Sequence, residues 1–201
     1  MTNFSLDSFT VHCVNVTEAA DFYQNAFGAL VERRGDVVDV DLHGIGSLRL
    51  APGSGSDEAF PQFIVTYILP QPSSVRTAME TASHHGGQIL KPAKKALFSS
   101  FSGVLRSPDG VIWKLAAASN KDTPSAGTTP QPTEITLILG VNDPVASKHF
   151  YTDLGMRTDR DYGSKYIDFE PVEGAARLCL MQRAVLAKDV GLTDDGTSGA
   201  P

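Results

Sequence analysis

Between Phe9 and Val14 apolar and polar side chains alternate, with Phe9, Val11 and Cys13 on one face and Ser8, Thr10 and His12 on the other. A period of two predicts a half-buried strand. The period then lengthens, and Ala19, Ala20, Phe22, Tyr23, Ala26 and Phe27 recur at helical spacing. Thr17 is placed to cap that helix and Gly28 to end it, at a position where left-handed backbone costs a glycine little. Strands follow at Leu30–Arg33, Val37–Leu42 and Ser47–Ala51, with Gly35 and Gly44/Gly46 as turn punctuation. The order is βαβββ.

The same order restarts twice. Phe63–Leu69 predicts a strand, Ser74–His84 a helix stopped by Gly86-Gly87, and Gln88–Lys91, Gly103–Arg106 and Val111–Ala116 three more strands. The last two are joined by Ser107-Pro108-Asp109-Gly110, a turn sequence in which Pro presets φ and Gly accepts a positive φ. A third copy begins at Ile135–Leu139, continues through a helix capped by Asp143 and ended by Gly155, and includes strands at Tyr166–Phe169 and Ala176–Met181. The helix ends repeat: Phe22-Tyr23 then Phe27-Gly28 in the first copy, Phe150-Tyr151 then Leu154-Gly155 in the third. Lys121–Thr133 (KDTPSAGTTPQPT) has no large apolar residue and reads as a linker. The expected organisation is two modules at 1–119, a linker at 120–133 and a third module at 134–201. That third module closes with a Lys-Asp-rich stretch of helix or loop and a loop-like tail. The fold class is α+β: repeated βαβββ modules whose curved mixed sheets form a cup, with helices packed outside.

Composition matters here for what it excludes. The 201 residues are 41% hydrophobic and 20% charged, enough for a globular core. A formal net charge of -6 and the lack of a basic stripe argue against a nucleic-acid partner. Cys13 and Cys179 lie far apart without ligand spacing, which fits two buried thiols in a reducing compartment better than a disulfide framework. The amino-terminal residues lack the pattern of a secretion signal, and no apolar run approaches the roughly 18 residues a membrane span requires. A cytoplasmic protein with no membrane partner is expected. There is no GxGxxG, P-loop or GxSxG element to support nucleotide binding or serine hydrolysis.

The segments VNVTEAADFYQNAFGA, SPDGVIWKLAA and VNDPVASKHFYTDLGM, the last followed by RDYGSKYIDF, resemble the vicinal oxygen chelate superfamily. That superfamily includes glyoxalase I, extradiol dioxygenases and bleomycin-resistance proteins. The resemblance covers nearly the whole chain, in tandem form. It speaks to fold more than to activity, because the fold hosts unrelated chemistries. It implies that modules one and two pair into one complete cup, so that 1–119 is a complete glyoxalase-like domain, and that module three is half of another. An unpaired half-cup leaves a bare sheet edge. The favoured expectation is a truncated tandem protein; the alternative is a homo-oligomer formed through the third module.

The resemblance also implies where a metal would sit. In metal-dependent members the first strand of each module supplies a His and the last strand a Glu. Carried over by position, the first-strand places hold Ser8, Tyr67 and Thr136, and the last-strand places hold Arg49, Lys114 and, less firmly anchored, Cys179. None of the four in the expected cup is His or Glu, and Arg49 and Lys114 repel a cation, so neither a metal nor another cofactor is expected. The expected site sets Arg49 and Lys114 opposite Ser8, Thr10, His12 and Tyr67, able to hold an anionic or polyoxygenated small molecule. The competing reading puts both cations on solvent-facing strand positions. The function expected is small-molecule binding in a metal-free cup, as in the drug-resistance members, with no catalytic residue assigned. Two other functions compete: a metal-dependent lyase or dioxygenase whose ion is held by His12 with Asp39 or Asp41, and an interaction module.

Overall fold

The structure, a computed structural model, describes residues 4–54, 60, 62–95, 100–124 and 131–194. Module one comprises β1 (Ser8–Cys13), α1 (Val16–Phe27), β2 (Leu30–Arg34), β3 (Val37–Asp41) and β4 (Ser47–Pro52). Module two comprises β5 (Phe63–Leu69), α2 (Pro72–His84), β6 (Gln88–Lys95), β7 (Phe101–Arg106) and β8 (Ile112–Ala117). Module three comprises β9 (Glu134–Val141), α3 (Pro144–Asp153), β10 (Thr158–Asp161), β11 (Ile167–Phe169) and β12 (Arg177–Gln182), and α4 (Arg183–Val190) follows it. The strand β10 carries no apolar alternation in its sequence TDRD, and the hydrophobic pattern gave no sign of it.

Each helix start is satisfied differently. In α1 the cap is Asn15 rather than Thr17. Its side-chain oxygen accepts from Glu18 N at 3.1 Å while its amide donates to the Glu18 carboxylate at 3.0 Å, a reciprocal pairing that leaves Thr17 inside the first turn. Gly28 ends α1 in left-handed backbone at φ 67°. Asp143 caps α3 as expected, accepting from Val145 N and Ala146 N. The helix α2 has no side-chain cap of its own. Instead Asp122 accepts from Ser73 N at 2.6 Å and from Arg76 at 2.9 Å, and the Gln71 amide oxygen accepts from Thr123 N at 2.8 Å. The start of the expected linker is thus fastened to the beginning of α2, while 125–130 lies outside the described residues.

The modules pair differently from the expectation. Module one forms its own four-stranded sheet, β1-β4-β3-β2, whereas modules two and three share an eight-stranded sheet, β10-β11-β12-β9-β5-β8-β7-β6. The seam is the antiparallel pair β5–β9, with Thr66 opposite Thr136. The pattern of burial accounts for this. The strands FIVTYIL and EITLILGV are buried on both faces over Ile64–Tyr67 and Ile135–Ile138 and need a neighbour on each edge. The strand SFTVHC keeps Ser8, Thr10 and His12 exposed, and its outer edge has no strand beside it among the described residues. The half-sheet left over belongs to module one, not module three.

Module one joins the rest through α1 packed on α2 and through its first residues, where Leu6 bridges to Ala176. The aromatic centre of this outer layer is Tyr23, Phe27, Tyr67 and Trp113, all fully buried, with Phe27 stacked on Tyr67 at 4.9 Å and edge-on to Trp113 at 4.9 Å. A second apolar cluster lies on the opposite, inner face of the eight-stranded sheet. There Phe60, Ile64, Val104, Ile112, Ile138 and Cys179 pack with Leu186, Ala187 and Val190 of α4. No helix among the described residues is long and apolar enough to cross a membrane.

Candidate functional site

Strand alternation assigns the faces. Val65, Tyr67 and Leu69 of β5 join the helix-side core, so Ile64 and Thr66 face inward. In register across the sheet, Thr66 lies beside Lys114 of β8 on one side and Thr136 of β9 on the other, and Thr136 lies beside Arg177 of β12. The floor of the inner face is therefore a row in the order Lys114, Thr66, Thr136, Arg177. Module one repeats half of it, with Thr10 of β1 beside Arg49 of β4. In every module a threonine on the first strand meets a cation on the last.

The expected site is divided between two sheets. Ser8, Thr10, His12 and Arg49 share the open face of the module-one sheet, and only Lys114 lies on the inner face of the larger one. Tyr67 points the other way, stacked on Phe27 among the helices, with burial lifting its hydroxyl pKa well above the ordinary phenol value. Its neighbour Thr66 takes the place expected of it. Arg177, two residues before Cys179, is the last-strand residue of module three. Because FIVTYIL is apolar on both faces, its sequence offers no parity signal. For Lys114 the Ser107–Gly110 turn anchors the register, and the residue lies on β8 beside Thr66.

The charges on the row are locally compensated. Lys114 Nζ donates to the Asp189 carboxylate of α4 at 2.5 Å. Arg177 donates to Asp159 at 2.7 Å and to Phe169 O at 3.2 Å and pairs with Glu134 at 3.3 Å. On module one Arg49 grips Asp39 with two bonds of 2.6 and 3.1 Å, which holds the Asp39 carboxyl below its ordinary pKa. Thr66 Oγ1 is buried without a hydrogen-bond partner among the described residues. Beyond Arg177, Asp168 is fully buried on β11 and accepts from Arg160 N at 2.8 Å and Tyr166 OH at 3.0 Å. The Tyr166 hydroxyl also lies 3.0 Å from Cys179 Sγ. Burial pushes the Cys179 thiol up to about 12 and the Cys13 thiol up to about 11, so neither is primed as a nucleophile.

A divalent metal fits these residues badly. Two hydroxyls and two cations occupy the positions where first and last strands meet, and a hard or borderline cation requires carboxylate, imidazole or thiolate. No group of three or more His, Cys, Asp or Glu among the described residues could hold one. His12 and Asp39 sit on strands separated by β4, whose Arg49 already occupies the Asp39 carboxylate.

The family model described as Glyoxalase/Bleomycin resistance protein/Dioxygenase superfamily matches residues 5–115. The chain belongs to this superfamily. Solved glyoxalase-like structures share its fold. Glyoxalase I from Zea mays aligns with a TM-score of 0.61 at 19% identity over 88% of this chain and 66% of the maize chain. A glyoxalase-related enzyme from Fulvimarina pelagi aligns with a TM-score of 0.50 at 21% identity over 64% of this chain and 96% of its own. A glyoxalase/bleomycin resistance protein/dioxygenase family enzyme from Burkholderia phytofirmans PsJN gives 0.51 at 14% identity, over 58% and 100%. Comparison with curated proteins returned no match. The superfamily match spans the first two modules in sequence, yet in this glyoxalase-like chain those two modules lie in different sheets.

Proposed function

We propose that this glyoxalase-like protein binds an anionic small molecule on the inner face of its eight-stranded sheet without using a metal ion. The observation that carries the proposal is the row Lys114, Thr66, Thr136 and Arg177, at the positions where metal-dependent relatives are expected to place their ligands. A lysine beside a buried hydroxyl without a partner offers charge-assisted and neutral donors to one oxyanion. The open face of module one, with Thr10, Arg49, Ser8 and His12, offers similar groups, but these stay exposed with no covering layer among the described residues, so a ligand there gains less.

The test is metal analysis of protein purified without chelator, before and after incubation with Mn, Fe, Co, Ni and Zn. Less than a small fraction of one ion per chain is expected, together with thermal stabilisation by carboxylates and phosphates that Lys114→Glu removes. One tightly bound ion per chain would overturn the proposal and direct assays to lyase and dioxygenase activity.

A further inference from the structure

We propose that α4 is a built-in occupant of the cup and that it marks the ligand as an amphipathic carboxylate, which binds by displacing it. This rests on the reading of the inner face as a ligand site and names both the ligand class and the control of that site. The chain itself supplies the outline of the ligand. Leu186, Ala187 and Val190 are essentially inaccessible and pack on Ile64, Val104, Ile112 and Ile138, forming an apolar body. The Asp189 carboxylate meets Lys114 at 2.5 Å, forming an anionic head. Lys91 Nζ adds a second positive charge at this end, donating to the carbonyls of Asp189 at 2.5 Å and Lys188 at 3.3 Å. Beside Lys114 in register, Thr66 is 7% exposed and its buried hydroxyl has no hydrogen-bond partner among the described residues, a donor that α4 leaves unused.

The helix is suited to leaving. It has eight residues and no side-chain N-cap, and a helix that short does not persist alone in water. Its helicity depends on the floor beneath it. Its polar ties among the described residues include Arg183 to Asp194 at 2.7 Å and to Phe60 O at 3.0 Å, and the left-handed Gly191 closes its end. A molecule with a hydrocarbon body and one carboxylate can replace the apolar contacts and the Lys114 bond together. A small polar acid replaces only the second, and an alcohol of equal length only the first.

The experiment compares the native protein with Asp189→Asn and Lys114→Met, using dodecanoate below its micellar concentration, 1-dodecanol and citrate as probes. Calorimetry reads binding. Hydrogen exchange at the amides of 183–190 and alkylation of Cys179 by N-ethylmaleimide read the position of α4, with buried Cys13 as the internal control for overall folding. The expected result is that dodecanoate binds and speeds exchange at 183–190, while 1-dodecanol does neither. Asp189→Asn should bind dodecanoate about tenfold more tightly, because the competing charged contact is gone. It should also label faster at Cys179 with Cys13 unchanged, and Lys114→Met should abolish dodecanoate binding. If citrate binds through Lys114 while dodecanoate leaves 183–190 protected, or if Asp189→Asn leaves the affinity unchanged, the displacement idea falls and the metal-free cup survives. If neither acid binds the native protein or Asp189→Asn, the cup reading falls as well.

Discussion

Thr66 places a hydroxyl between a lysine and a second threonine without a hydrogen bond to any of the described residues, an arrangement that lowers stability unless a ligand completes it. Thr66→Val keeps the β-branched shape and removes the unpaired group. It is expected to raise the free energy of unfolding by about 1 kcal/mol in urea titrations while weakening carboxylate binding. Asp109 presents the opposite case. Its carboxylate is buried in the turn before β8 and accepts from Tyr23 OH at 2.7 Å and from Ser107 Oγ. Burial raises its pKa above the ordinary carboxylate value despite those bonds. The folded chain therefore holds this proton more tightly than the unfolded chain. Its contribution is greatest below the unfolded value, and stability declines as pH climbs from there through the raised folded value. Asp109→Asn is expected to flatten that decline in thermal unfolding followed as a function of pH. Among single residues, Lys114 was legible because a turn of unmistakable chemistry fixes its register. Tyr67 was not, because an apolar strand does not reveal which of two neighbours faces inward.

At the level of elements, the sequence pattern located the starts of α1, α2 and α3 to within a few residues, together with most strands, because each βαβββ unit carries a change of period and a glycine stop; the stretch that forms α4 was left open between helix and loop. The caps were legible only where they are local. Asp143 precedes its helix and was read directly, whereas α2 borrows Asp122 from beyond β8, a long-range bond that spacing cannot reveal. Asp122→Ala removes the acceptor for Ser73 N and a partner of Arg76, and is expected to cost about 1 kcal/mol, a loss typical of a missing N-cap. Urea unfolding followed by circular dichroism would measure it. The same holds for α4. Its sequence, RAVLAKDV, is short and weakly amphipathic, and what makes it a helix on the inner face is Ile64, Val104, Ile112 and Ile138 below it.

For the whole molecule, the repeat was legible and the partnership between repeats was not. Three similar modules can pair in more than one way, and the choice depends on which first strands are apolar on both faces. Here those are β5 and β9. A fragment of residues 1–119 contains the first two modules and all of the family match, yet it bares the β5 edge and the apolar inner face that β9, β12 and α4 cover. That fragment is expected to associate or aggregate, as read by light scattering at micromolar concentration, while residues 1–201 remain dispersed.

The seam also sets an order of events during synthesis. The nascent chain emerges from the ribosome with β5 complete and one edge open, and the strand that closes it appears only after α2, three further strands and the linker have been made. The floor of the cup comes together later still, with β12, and its own occupant is the next segment to leave the tunnel. The site is therefore covered almost as soon as it exists, so the interval in which its apolar floor faces the crowded surroundings of the ribosome is brief.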